Sequence, residues 1–349
     1  MQLYSLGKVP WKESQLIYHA LAHLGREALS LVSPAEPYVC IGFHQDVDQE
    51  VDLAYCRAHR IPVFRREVGG GAVFLDGRQL FFHLILKRDN PVIPKGIENF
   101  YRKFLEPVIR VHHRIGIPAA YKPVNDLVAG HRKISGTGVG EIGDCIVFVG
   151  NLILDFDYAT MARVLKIPDQ KFRDKVKKSI EENLSTIRRE LGEVGAAAWS
   201  ENRLNQMLAE EFEPIVGALT PAAVDPALKE RMAQLSQTLL APDWLYRRGK
   251  RTGGRTVKVR SGLELAQRIH KAPGGLMRAE FRVDEGCFRD MSISGDFFCF
   301  PSDFVLRLEA ELEGRAVQDL RRSIEALYGE GPADTPGIGL DDWLALLQV

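Results

Sequence analysis

The sequence has no Cys-x-x-Cys pair. Its five cysteines, Cys40, Cys56, Cys145, Cys287 and Cys299, are odd in number and widely scattered, which argues against a disulfide framework or a zinc knuckle and fits the reducing cytoplasm. Excess charge of either sign is also missing: Lys plus Arg and Asp plus Glu each number 46, so no overall field draws in nucleic acid or an anionic membrane. Met1-Gln2-Leu3-Tyr4-Ser5 leads to charged residues without an apolar signal core, and no apolar run reaches the length of a membrane span; neither export nor membrane insertion is expected. There is no Gly-x-x-x-x-Gly-Lys-Ser/Thr phosphate loop and no His-Glu-x-x-His. The neighbours His112 and His113 diverge by about 100° on a helix, so no zinc site is expected.

What is present is a chain of 349 residues, too long for one typical core. Two domains are expected: residues 1–225, a linker region at 226–243 containing Pro226, and a smaller α/β domain at 244–349. Helical spacing of Leu16, Ile17, Ala20, Leu21 and Leu24 predicts a helix within 11–31, and Phe100, Phe104, Val108 and Val111 predict another over Glu98–Ile115. Strands are expected near Tyr38–Ile41, Ile61–Arg65, Leu80–Leu86, Asp126–Val128, Arg132–Ser135, Cys145–Val149 and Leu152–Asp155, then at 256–260, Leu276–Val283 and Cys287–Ile293. The fold class is therefore α/β of the α+β type: a mixed or antiparallel sheet flanked by helices, not a regular βαβ series.

The most informative segment runs Arg65-Arg66-Glu67-Val68-Gly69-Gly70-Gly71-Ala72-Val73-Phe74. Consecutive glycines permit positive φ and let backbone N–H groups approach a ligand without Cβ obstruction, while an adjacent guanidinium can grip phosphate. An exposed hairpin with an arginine pair has the same spelling. A second segment, Asn125-Asp126-Leu127-Val128 and then Arg132-Lys133-Ile134-Ser135-Gly136-Thr137-Gly138, places Lys133 on a short strand before a glycine turn. There its ammonium can reach both a carboxylate and an α-phosphate, stabilising the charge that develops when one attacks the other.

Together these segments resemble the lipoate–protein ligase family, in which an Arg-Arg-x-x-Gly-Gly-Gly-x-Val turn is followed by Asn-Asp and a Lys-Ile/Val-Ser/Ala-Gly segment. The resemblance extends over Gly42-Phe43-His44-Gln45, Gly150-Asn151-Leu152-Ile153-Leu154-Asp155 and Gly295-Asp296-Phe297-Phe298. It implies a catalytic domain related to biotin ligases with a C-terminal accessory domain in the same chain. It further implies ATP with Mg2+, lipoate (or octanoate) as substrate, and two steps: formation of lipoyl-AMP, then transfer to a lysine of an acceptor. The acceptor would be an H protein, an H-like lipoate-binding protein or the E2 lipoyl domain of a 2-oxoacid dehydrogenase. Carried over by position, Arg66, Gly71, Ala72, Val73 and Phe74 hold the nucleotide, Lys133 contacts the acyl carboxyl group and the phosphate, and Arg65, Gly69 and Gly70 shape the turn. Asp126 is the candidate for magnesium or for the acceptor lysine; a carboxylate that merely caps a turn is the alternative.

The chain departs from the pattern at Leu75-Asp76, where His-Asp is usual, at Val149-Gly150-Asn151, where His-Gly-Thr/Ser is usual, and in its first helix, which lacks the Asn and acidic residues. These departures bear on acyl selectivity, affinity and acceptor choice. An ATP-independent octanoyltransferase is a second reading, although the stretch Ala119–Asp126 lacks the nucleophilic cysteine one branch places there and Cys145 is the nearest substitute. A noncatalytic lipoyl-domain-binding protein is a third. Gly138-Val139-Gly140-Glu141-Ile142-Gly143 spells a dinucleotide fingerprint but precedes a strand, and is rejected as such. The basic stretch Lys166–Lys178, with Lys171, Lys175 and Lys177, is a solvated face or a dock for an acidic acceptor domain. His44 and His83 lie within reach of the pocket but are read as hydrogen-bonded structural histidines, and Phe297, Phe298 and Phe300 as packing residues.

Overall fold

The computed structural model describes residues 1–167, 172–248, 263–329 and 333–348. The chain opens with β1 (Gln2–Val9), α1 (Trp11–His23), β2 (Ala28–Pro34), β3 (Tyr38–Ile41), α2 (Val47–Glu50) and α3 (Leu53–Ala58). It continues through β4 (Val63–Arg65), β5 (Val73–Leu75), β6 (Gln79–Lys87), α4 (Ile97–Arg114), β7 (Ala119–Lys122), β8 (Asp126–Ala129), β9 (Arg132–Ser135), β10 (Thr137–Ile142) and β11 (Cys145–Ile153). Then come α5 (Tyr158–Val164), α6 (Arg173–Asn183), α7 (Ile187–Ala197), α8 (Glu201–Val216), β12 (Thr220–Pro221), α9 (Pro226–Leu239) and α10 (Pro242–Leu245). The C-terminal part holds β13 (Leu263–Ala272), β14 (Gly275–Asp284), β15 (Cys287–Gly295), α11 (Phe304–Leu312), α12 (Leu320–Gly329) and α13 (Leu340–Leu347).

The main sheet has the order β10-β11-β6-β2-β1-β12. β1 runs parallel to β2 and β12, while β2, β6, β11 and β10 pair antiparallel, so the sheet is mixed as expected. The apolar run of β6 is buried on both faces, as a central strand requires. Its period-2 alternation sends Leu80, Phe82, Leu84 and Leu86 toward the core under α4 and α8, and Phe81 and Ile85 toward the core under α1 and α9. The C-terminal part has its own core, in which β13–β15 pack on α11–α13 around Phe281, Phe304 and Trp343.

Several boundaries differ from the reading of the sequence. The first helix stops at His23 because Gly25 takes a left-handed φ of 64°, and residues 28–34 are the strand β2. β1 was not anticipated, nor was β10. The two strands expected around Gly150 are one, β11: Gly150 sits opposite Phe82 in register, and a Cβ there would come within 2.3 Å of the Phe82 ring. The glycine makes room within a strand instead of turning it. The stretch expected as linker contains α9, capped by the Asp225 carboxylate accepting from the Leu228 N–H at 2.8 Å with Pro226 in the first turn. Leu228, Leu235 and Leu239 of α9 pack into the core around α1. The strand expected at 256–260 and Lys171 lie outside the described residues.

Candidate active site

The loop between β4 and β5 is held by its arginines in opposite senses. Arg65 is fully buried and points away from the ligand side. Its Nη1 donates to the carbonyls of Gly42, Phe43 and Gln45 at 3.1, 3.0 and 2.6 Å, and its Nε and Nη2 donate to Trp244 and Leu245 at 2.6–3.1 Å. Burial, with Arg247 and Arg248 nearby, pushes its pKa down to about 9, so the guanidinium is held by carbonyl dipoles in place of a carboxylate. Arg66 turns inward: Nη2 donates to Gly69 O and Gly71 O at 2.7 and 3.0 Å, and Nη1 lies 3.6 Å from the Cys40 sulfur. The glycines are obligatory at two points. Gly70 has a φ of 90°, and a Cβ on Gly42 would fall 1.8 Å from the Gly70 carbonyl oxygen.

The second segment brings its carboxylate and lysine together. Lys133 Nζ lies 2.6 Å from Asp126 Oδ1 across β8 and β9, both side chains about a third exposed at 35% and 31%. The turn after Lys133 is clamped by Asn151, whose Oδ1 accepts from Gly136 N–H at 2.8 Å while its Nδ2 donates to Gln79 Oε1 at 2.8 Å. Asn151, one of the departures noted in the sequence, therefore anchors the turn. From the other side, the Lys133 carbonyl accepts from Ser185 N–H at 2.7 Å, tying the lysine strand to the segment between α6 and α7.

These two segments face one cavity of about 430 Å³. Arg66, Gly70, Gly71, Ala72, Val73, Asp126 and Lys133 line it. Phe74, named from the sequence as a nucleotide contact, and Arg65 and Gly69, named as shaping the turn, do not: Arg65 serves the carbonyls above, Gly69 is covered by Phe297 and Phe298, and Phe74 alternates away from Val73 and Leu75 into the core beside α3. His83, read from the sequence as a hydrogen-bonded structural histidine, completes the wall together with residues the sequence did not single out. Gln15, Tyr18, Cys40, Phe81 and His83 form its buried end, each exposed by 5% or less. Their signal was the polar residues on the buried face of α1 and the alternation of β6. The C-terminal part adds Lys271, Asp296 and Phe298, which only docking brings near; that docking uses Gly70 N–H to Phe297 O at 3.2 Å and Gly295 N–H to His44 O at 3.1 Å. His44 stays outside the cavity, stacked on Phe297. Phe297 packs in the C-terminal core, and Phe298 packs against the core around α1 while lining the cavity.

Cys145 is buried away from the cavity in the core around α1, so the thiol that faces the site is Cys40. Burial pushes that thiol up, opposed by Arg66, which keeps it protonated. On α6, Lys177 and Lys178 lie 3.5 and 3.8 Å from Glu181 and Glu182, so its positive face is partly neutralised. Gly138 and Gly140 are strand residues of β10 packed on Val68, as the rejected dinucleotide reading requires.

The family description "Lipoyl protein ligase A/B catalytic domain" matches residues 10–213. The chain belongs to this family. It is 26% identical over 307 residues to lipoate–protein ligase 1 of Staphylococcus aureus, covering 85% of this chain and 80% of that protein. It is 30% identical over 274 residues to lipoate-protein ligase LplJ of Bacillus subtilis, covering 75% and 74%. It is also 25% identical over 235 residues to octanoyltransferase LipM of Kyrpidia tusciae, covering 61% and 84%. The fold is shared with LipL1 of P. falciparum in complex with lipoate (TM-score 0.68, 16% identity, 95% of each chain). It is shared too with an archaeal bipartite lipoate protein ligase solved with its E2 lipoyl domain from Thermoplasma acidophilum (TM-score 0.62, 22% identity, 72% of this chain and 98% of that one), and with a lipoate-protein ligase A bound with ATP (TM-score 0.58, 20% identity, 70% and 98%). As a lipoyl ligase-family protein, the chain has a mixed-sheet fold, and no described helix is long and apolar enough to cross a membrane.

Proposed function

We propose that this family member is an ATP-dependent lipoate–protein ligase that forms lipoyl-AMP and passes the acyl group to a lysine of a lipoyl acceptor domain. The observation that carries the reading is one cavity whose mouth holds the glycine loop, Arg66 and the Lys133–Asp126 pair and whose buried end is lined by Gln15, Tyr18, Cys40, Phe81 and His83. The acid enters tail first. Its carboxylate oxygen attacks the α-phosphate at Lys133, the new P–O bond forms as pyrophosphate leaves, and the ammonium offsets the charge on the phosphoryl oxygens. The acceptor amine then attacks the acyl carbon, expelling AMP, with Asp126 beside Lys133 to take the proton. Magnesium arriving with the triphosphate would be held by Asp126 and would offset charge on the phosphate oxygens. Residues 263–348 serve as an accessory domain that closes the nucleotide side with Lys271 and Asp296. The relative solved with an E2 lipoyl domain and the one bound with ATP support this reading.

Lipoate-dependent ATP–pyrophosphate exchange by the purified chain, lost in Lys133→Ala and not supported by biotin, is the expected result. A second reading, ATP-independent acyl transfer, is favoured by the octanoyltransferase relative and by the Cys40 thiol in the cavity. Octanoyl transfer between acceptor domains without exchange, abolished in Cys40→Ala, would replace the first reading with the second.

A further inference from the structure

The buried end of the cavity is more polar than an alkyl chain requires. The Tyr18 ring lies 4.0 Å from the His19 ring and 4.6 Å from the His83 ring, and Phe81 is 6.3 Å from His83. The neighbouring polar groups are spent: Tyr18 OH donates to Gln15 Oε1 at 2.9 Å, and Gln15 Nε2 donates to Tyr38 OH at 2.6 Å. His83 is not: its ring lines the cavity at 2% exposure, its Nδ1 is sealed and unpartnered, and its Nε2, the ring nitrogen left to meet a ligand, makes no hydrogen bond among the described residues. Ser30, opposite His83 in register on β2, carries an equally buried hydroxyl with no partner among the described residues. Burial and the nearby His19 push the imidazole down to about 3, so at neutral pH it offers one N–H and one acceptor nitrogen. A buried group left unpaired is costly, and a ligand atom that pairs with it recovers that cost. Octanoate ends in a methyl group and offers nothing. The dithiolane of lipoate brings sulfur, a weak acceptor that also favours contact with aromatic rings.

We propose that His83 is a specificity-determining residue: with Tyr18 and Phe81 it forms a sulfur-selecting end to the acyl cavity, favouring a dithiolane-ended acid over an alkyl-ended acid of the same backbone. The inference rests on reading the cavity as an acyl site and is independent of the ATP chemistry.

Calorimetric titration of the full chain with lipoate and with octanoate, in the absence of ATP, tests it. Lipoate is expected to bind about tenfold more tightly than octanoate. In His83→Leu the ratio falls to within about threefold, and in pyrophosphate exchange KM for lipoate rises while kcat holds. His83→Asn, which keeps a donor, lies between. A folded His83→Leu with the wild-type ratio, or a wild-type chain binding both acids equally, overturns the proposal; if His83→Leu does not fold, the ratio in His83→Asn decides by the same criterion. Binding of neither acid overturns the proposal together with the acyl-site reading. A lipoate preference that His83→Leu removes, in a chain without pyrophosphate exchange, overturns the adenylation reading alone and supports the role of His83.

Discussion

The two ends of the cavity are built on different principles. At the mouth, Lys133 and Asp126 stand on short strands joined by glycine turns and are about a third exposed at 35% and 31%; their positions depend on clamps such as Asn151 and the Ser185 N–H. At the buried end, Gln15, Tyr18, Phe81 and His83 belong to a long helix and a central strand and are exposed by 5% or less. Groups that must meet two substrates in turn sit on segments that can adjust, and groups that measure one substrate sit in the packed core. Substitutions at the mouth should therefore cost rate without stability, while those on the core side should cost stability or selectivity.

Arg65 breaks any simple assignment by sequence position, since it belongs to the glycine loop yet behaves as core. Arg65→Ala leaves the carbonyls of Phe43, Gln45 and Leu245 without their arginine donor and is expected to destabilise the chain by about 3 kcal/mol or more, read as a fall in the denaturant midpoint. Lys133→Ala is the opposite case: a loss of about a hundredfold or more in pyrophosphate exchange with an unchanged melting temperature. Lys271 lines the same mouth and has no ion-pair partner among the described residues, whereas Lys133 has Asp126 and Arg66 has the loop carbonyls. Lys271→Ala should lower exchange by about tenfold without affecting stability; an unchanged rate would restrict the chemistry to the N-terminal part. The last effect concerns acid. His83 has a folded-state pKa pushed from 6.5 to about 3, so the unfolded chain binds a proton that the folded chain does not, and stability falls as pH drops below 6.5 toward 3. His83→Leu should flatten that slope in urea titrations at successive pH values.

Much of this was readable in the sequence, for reasons that are local. The glycine loop and the lysine turn announce themselves because backbone approach and a fixed cation demand particular residue types at particular spacing, and the structure brings Arg66, Gly71, Ala72, Val73, Asp126 and Lys133 to one cavity. The alternation of β6 gave its two faces, but nothing local shows that one face continues into a ligand site. Arg65 and Arg66 are neighbours with the same chemistry, and only the carbonyls delivered by α10 and the Gly42 turn decide which faces inward. Lys271 was invisible because docking of a distant segment, not any sequence pattern, brings it to the wall; Asp296 and Phe298 lie in a segment that carries the resemblance, but only that docking shows that they face the cavity. Gly150 misled in the other direction: a residue that often signals a turn is in a strand because Phe82 occupies the space of its side chain.

The contact between Gly42 and Gly70 has a consequence for the site's tolerance to change. Position 42 is outside the cavity, yet a side chain there would strike the loop at Gly70, whose N–H is bonded to Phe297 of the C-terminal part. A library randomised at position 42 would return glycine, although nothing at that position touches substrate. What such a selection would record is the thickness of a layered backbone, strand end against loop against docked segment, with no spare width for a single methyl group.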